Sequence, residues 1–370
     1  MIYFINNLKI LKSKKDIIFF SEGKFQWKFF ENLILDLLKK TDFEILFLTS
    51  EKNDQAFNIK DAKFKSVYIG KGFFRSIILG FLKTKFLFTS TPDLGSSKFR
   101  KSPFVDKYIY VPHSVGSTHL TYNEKAFDSF DVILCVGEPH EKEIKMREEK
   151  FKLKKKELIP FGYPWIKNLK KSLEKFDKFD KKDKKNVLYA PSWGVNSSLE
   201  FLDINLIYFL IERDCKVYFK PHPMSYNFNK KIIAKIKKKF SRNKNFTFVN
   251  LDDISLFFKT ELLITDWSGI SFEYFFAKEN SKIIFLETPI RAVNKNYKEL
   301  GLRTIEEQYR KELGIITKLD ILEIQKKIDI AIKTEAVKNS HVSNIEKKLL
   351  FNYDKCFPYL LEYIKKTKNL

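Results

Sequence analysis

Residues 108–119 read YIYVPHSVGSTH. Four apolar or aromatic positions run into Pro112, and polar residues begin at His113. An apolar run this short, closed by a residue that cannot donate to a strand ladder, reads as a strand ending in a functional-length loop. The same unit recurs on both sides of it, in DIIFFS (16–21), EILFLTS (44–50), FLFTS (86–90) and DVILCVG (131–137). Between these runs, FQWKFFENLILDLLKK (25–40) and FFRSIILGFLKTK (73–85) carry apolar residues at helical spacing. Strand and helix in alternation predict βαβ units around a parallel sheet, so the fold class is α/β.

Farther on, residues 167–186, KNLKKSLEKFDKFDKKDKKN, hold nine lysines with no Gly or Pro. They read as a helix end followed by a solvated linker. The alternation then restarts with NVLYAP (186–191), KVYFKP (216–221), FTFVN (246–250), ELLIT (261–265) and KIIFLE (282–287). The expected organisation is a Rossmann-like domain over 1–170, a lysine-rich linker over 171–185, a second Rossmann-like domain over 186–345 and a C-terminal helix over 346–370 that packs on either domain. At 370 residues the chain has the length of two domains.

With 44% hydrophobic and 31% charged residues the chain has the composition of an ordered globular protein. Its net charge of +23 attracts phosphates, nucleic acid or an anionic membrane, and charge alone does not choose among them. Many aromatics sit in strand-like runs rather than beside the lysines, which argues against a nucleic-acid binder. Cys135, Cys215 and Cys356 are widely spaced, which fits neither a disulfide framework nor a zinc site; Cys135 and Cys215 lie in apolar runs and read as buried. The N-terminus lacks a signal-peptide pattern, and the most apolar stretch, FFRSIILGFL (73–82), is far shorter than the ~20 residues of a spanning helix. A cytoplasmic protein with at most peripheral membrane contact is expected.

Open parallel sheets bind ligands beyond the carboxyl ends of their strands, so polar residues just after strands carry the weight. His113 is placed to act as a general base, and Ser114, Gly116, Ser117 and Thr118 form a loop suited to an anion; His119 lies farther along it. His222 in FKPHP (219–223) is fixed between two prolines, with Lys220 beside it as a phosphate-binding cation. In LLITDWSGISFEYFFA (262–277), Thr265, Asp266, Ser268 and Gly269 open a helix whose first amides suit phosphate, with Asp266 equally a cap. Glu273 is either a ribose contact or part of a solvated face. VLYAPSW (187–193) adds Ser192 and Trp193 as base or phosphate contacts, and FGYPW (161–165) adds Tyr163 and Trp165 as packing residues. No spacing of His, Cys, Asp and Glu suggests a metal site.

Together and in this order, YVPHSVGST, FGYPW, VLYAPSW, KPHP and ITDWSGISFEY resemble the motif set of the CDP-glycerol glycerophosphotransferase family, over roughly residues 105–300. FFSEGKFQWKFFE (19–31) adds a looser match. The resemblance implies a GT-B architecture of two Rossmann-like domains facing across a cleft, and a CDP-alditol donor such as CDP-glycerol held mainly by the C-terminal domain, with no tightly bound cofactor. By position, His113 matches the family's acceptor-side base and His222 its donor-side histidine. Thr265, Asp266 and Ser268 match the Thr-Asp-aromatic-Ser segment. Ser114 and Gly269 depart from it, where members often carry Gly and Ser, and the large N-terminal extensions of some members are not seen, as for a minimal catalytic unit.

The expected reaction is attack by an acceptor hydroxyl on the β-phosphorus of the donor, releasing CMP, with an anionic surface glycan or teichoic-acid-like polymer as acceptor and the inner membrane as a neighbouring surface. The alternative on the same architecture is a glycosyltransferase or nucleotide-sugar epimerase using a UDP- or CMP-sugar.

Overall fold

A computed structural model describes residues 15–176, 185–249, 253, 255–278, 280–333 and 339–368. The first sheet has seven strands: β1 (Lys15–Ser21), β2 (Ile45–Thr49), β3 (Phe64–Tyr68), β4 (Thr84–Thr89), β5 (Val105–Tyr110), β6 (Val132–Cys135) and β7 (Glu157–Pro160). They lie in the order β3-β2-β1-β4-β5-β6-β7, every pairing parallel. The second has six: β8 (Asn186–Tyr189), β9 (Lys216–Phe219), β10 (Phe246–Phe248), β11 (Leu262–Thr265), β12 (Lys282–Leu286) and β13 (Ile315–Thr317). Their order is β10-β9-β8-β11-β12-β13, again all parallel.

The continuous apolar strands are explained by burial on both faces. Along β1, Ile17 and Phe19 enter one core with helices Trp27–Lys40 and Tyr353–Lys368, while Ile18 and Phe20 enter the opposite core with helix Gly72–Gly80. The register sets Phe19 opposite Phe47 on β2 and Phe88 on β4, and the Phe19 and Phe88 rings stack at 4.8 Å. A slip of one residue would exchange the two cores' side chains. In the second sheet, Val187, Tyr189, Leu262 and Ile264 pack with helices Asn205–Glu212, Lys230–Phe240 and Ile321–Lys333.

The chain divides into two compact units, one of residues 1–165, 294–300 and 349–370, the other of 166–293 and 301–348. The boundary therefore falls between Trp165 and Ile166, in the first turn of helix Pro164–Phe176, and not within the lysine-rich segment, whose residues 177–184 lie outside the described residues. The final helix joins the first unit through Phe357, Leu360 and Ile364. Its approach requires two glycines: a Cβ at Gly137 would stand 2.1 Å from Leu349 O, and one at Gly162, where φ is +83°, 2.2 Å from Phe351 O. The sequence reading extended the helix at 73–85 too far, since Thr84 opens β4.

All three cysteines are free and buried, and burial raises their thiol pKa values. Among the described residues no helix is long and apolar enough to cross a membrane.

Candidate functional site

Strand order reverses between β1 and β4 in the first sheet and between β8 and β11 in the second, and ligands of doubly wound sheets bind at such points. His113 follows β5, the neighbour of β4, and hydrogen-bonds the backbone of Ser90 just beyond β4. Its ring is half-buried among aromatics, 5.8 Å from Phe29 and 5.3 Å from Tyr122, and Tyr163 Oη donates to its carbonyl at 3.2 Å. Desolvation pulls its pKa down to about 4, the Ser90 bond opposing and Lys28 adding to the shift. The imidazole is therefore neutral at pH 7.

Two tyrosines flank the ring: Tyr110 Oη lies 3.0 Å from Nδ1 and Tyr122 Oη 3.3 Å from Nε2, and Tyr110 Oη donates to Tyr122 Oη at 3.2 Å. The neutral ring carries its hydrogen on one nitrogen and keeps a lone pair on the other, which can take a proton from a substrate hydroxyl.

Along the rest of the loop, Ser114 is half-buried and accepts the Gly116 amide at 3.1 Å. Gly116 O accepts from His140 Nε2 at 3.0 Å, and Ser117 is buried, its carbonyl taken by Thr121. Thr118 gives both its amide (2.6 Å) and its hydroxyl (2.5 Å) to buried Glu143, which also lies 3.2 Å from His119 Nδ1. His119, His140 and Thr118 hold the Glu143 carboxyl below its usual range despite burial. The distal half of the loop is thus committed to the protein interior, and only His113 and Ser114 keep part of their surface.

In the second unit, Asp266 is buried and its carboxylate accepts three backbone amides, from Ser192 (2.7 Å), Trp267 (2.6 Å) and Ser198 (2.7 Å). Thr265 Oγ1 donates to Ala190 O at 2.7 Å. These two residues therefore staple the loop after β8 to the turn after β11, and Asn229 holds the same loop by accepting the Gly194 amide at 3.0 Å. Thr265 and Asp266 are both buried, and the amides that Asp266 accepts belong to Ser192, Trp267 and Ser198 rather than to helix Ile270–Ala277, so it staples two loops and does not cap that helix as the sequence reading allowed. Ser268 is half-buried and Gly269 exposed at the start of helix Ile270–Ala277, which has no side-chain cap; Glu273 is half-buried in its first turn.

Around that turn stand Ser192, Trp193, His222 and Lys220, which the sequence reading named, together with groups it passed over. Ser192 Oγ, Ser197 Oγ, Thr288 Oγ1 and Arg291 Nε and Nη1 are buried without hydrogen-bond partners among the described residues. Arg291 lies over the Trp193 ring, whose centre is 6.1 Å from that of His222. The Met224 amide donates to His222 Nδ1 at 3.1 Å, which leaves the ring hydrogen on Nε2. Lys220 is half-buried beside it. Arg310 sits 4.0 Å over Trp267, donates to Leu286 O, and shares a small recess with Ser268 and Glu306. Arg291 was findable as a cation after β12, the strand next to β11. Among the described residues no group of three or more His, Cys, Asp or Glu is placed to hold a metal.

Buried donors without partners among the described residues, beside a guanidinium that its acidic neighbours only partly compensate and at a strand-order reversal, are groups suited to an anion. Solved structures share the fold. The wall teichoic acid polymerase TagF is 15% identical with a TM-score of 0.60, covering 96% of this chain and 89% of that one. UDP-GlcNAc 2-epimerase from Methanocaldococcus jannaschii, in complex with UDP-GlcNAc and UDP, is 13% identical with a TM-score of 0.61, covering 94% and 99%. These likenesses establish two Rossmann-like, GT-B-like domains. No curated protein sequence matches. The sequence model of the CDP-glycerol:poly(glycerophosphate) glycerophosphotransferases matches residues 3–286. The chain belongs to that family and is a glycerophosphotransferase-type enzyme that takes its transferred group from CDP-glycerol.

Proposed function

We propose that an acceptor hydroxyl on an anionic surface polymer attacks the β-phosphorus of CDP-glycerol in line, releasing CMP, with His113 as base in the first unit and the donor diphosphate held in the second. One P–O bond forms and the bond to the CMP oxygen breaks, while the hydroxyl proton passes to the unprotonated nitrogen of the His113 ring. The place of His113 just after β5, beside the strand-order reversal, in an aromatic surround that keeps its ring neutral at pH 7, is the observation that carries this assignment.

On the donor side, His222 Nε2–H, Lys220, Arg291 and the first amides of helix Ile270–Ala277 after Ser268 oppose the charge that develops on the phosphates. Asp266 and Thr265 act on the donor through the loop they hold, by fixing Ser192 and Trp193. Lys28, whose charge already reaches His113, suits an anionic acceptor. The inner membrane face, where such polymers are built, supplies the setting.

A panel of CDP-alditols and UDP-sugars tests the assignment by CMP or UDP release. CMP release from CDP-glycerol in the presence of polymer acceptor is expected. Turnover of UDP-sugars without CDP-glycerol turnover would overturn it.

A further inference from the structure

The first unit carries an aromatic and basic surface that neither its cores nor its site uses. Helix Gly72–Gly80 buries Ile78 and Leu79, yet Phe73 is 67% and Phe74 59% exposed, Phe81 just after it 58% and Phe104 53%. Five phenylalanines are more than half exposed among the described residues, and these are four of them. Phe74, Ile77 and Phe81 are spaced three and four apart, so they share one helix face, and the Phe73 ring abuts that of Phe74 at 6.1 Å.

Segment 97–104 lies along the same element. Ser76 Oγ donates to Ser97 O (2.8 Å), Ser102 Oγ to Leu82 O (2.8 Å) and the Thr84 amide to Phe104 O (3.2 Å), while Arg100 Cβ would stand 3.7 Å from a Cβ at Gly80. Lys98, Arg100 and Phe104 are thereby brought beside the helix, and Lys71 and Lys83 flank its ends, all exposed. Residues 71–104 contain seven Lys or Arg and one acidic residue, Asp93, which is tied to Asn123. The sequence reading, which put many of the aromatics in strand-like runs and read 73–85 as an amphipathic helix, did not single out this surface.

Exposed rings on a helix rimmed by one sign of charge match the chemistry of a bilayer interface. Protein interfaces are depleted in lysine at their cores, and single-stranded nucleic acid is read by rings along a groove rather than on the outside of a helix. We propose that this face docks on an anionic lipid surface, with Phe73, Phe74 and Phe81 entering the headgroup–acyl boundary and Lys71, Lys83, Lys98 and Arg100 meeting lipid phosphates. The proposal gives the membrane setting of the proposed function a surface, and rests on that function only for its setting.

The test is co-sedimentation of the full chain with vesicles of phosphatidylcholine, with and without phosphatidylglycerol. Binding only to the anionic vesicles, weakening with salt, is expected, with apparent affinity falling about tenfold in K98E/R100E and likewise in F73S/F81S. The charge pair keeps the test valid should the Phe pair fold poorly. CMP release with a soluble acceptor stays at the wild-type rate in both, so loss of docking is separable from failure of the transfer chemistry. Equal binding to neutral vesicles, binding untouched by both substitutions, or a vesicle-free dimer that F73S/F81S dissolves would overturn it.

Discussion

The guanidinium carbon of Arg291 stands 4.9 Å from the centre of the Trp193 ring, with Nε and Nη1 buried and without hydrogen-bond partners among the described residues. Burial pulls its pKa below the usual arginine range, and Asp266 and Glu306 only partly restore it. A cation held this way costs stability until an anion meets it. Arg291→Met is therefore expected to leave urea stability equal or higher while weakening CDP-glycerol binding by about tenfold or more in calorimetry. Lower stability with unchanged donor affinity would assign Arg291 to the scaffold instead.

Asp266 shows the opposite balance. Its carboxylate satisfies three buried amides at 2.6–2.7 Å, and removing it leaves all three unpaired. Asp266→Ala should cost about 3 kcal/mol or more in urea unfolding, and Asp266→Asn less because one acceptor oxygen remains. An alanine variant of wild-type stability would mean that the loop after β8 is held by other contacts.

The buried Glu143 cluster is structural on the same grounds. Glu143→Gln keeps the shape but weakens the bonds from Thr118 and His119, so the melting temperature should fall while KM for CDP-glycerol stays put. The cluster also sets an acid limit. His140 is held below its ordinary 6.5 by burial, and Glu143 below its ordinary 4.5 by the cations and donors around it. The unfolded chain thus takes up protons first, and stability is lost as pH falls from about 6.5 through the lowered folded values. Unfolding midpoints measured across that range should decline toward acid.

For His113, a pKa near 4 moves the acid limb of kcat/KM. An ordinary histidine base would lose half its activity near pH 6.5, whereas here the rate should persist to about pH 4 before falling with the protonated ring. An acid limb at 6.5 would show a ring far better solvated than its aromatic surround implies.

Both sheets were legible because their inner strands are apolar on two faces. The missed strands, Phe64–Tyr68, Glu157–Pro160 and Ile315–Thr317, are all edge strands, and their half-buried residues blur the apolar run that marks an inner one. His113, His222 and Ser268 were legible as polar residues directly after strands. Thr118 and Asp266 were legible as positions, but their partners lie 25 and 74 residues away, so the interior bonds that occupy them leave no local trace. Arg291 lies beyond β12 in a turn with no motif, and only packing against Trp193 brings it to the site. The outward phenylalanines at 73 and 81 escaped because their composition matches that of core helices.

The central claim is the division of labour between His113 and the second unit's donor site. CMP release by His113→Asn, measured together with the CDP-glycerol dissociation constant by calorimetry, tests it most directly. The account predicts release slowed at least about 100-fold with the dissociation constant within about twofold of wild type. Retained turnover, or donor affinity lost in step with turnover, would contradict it.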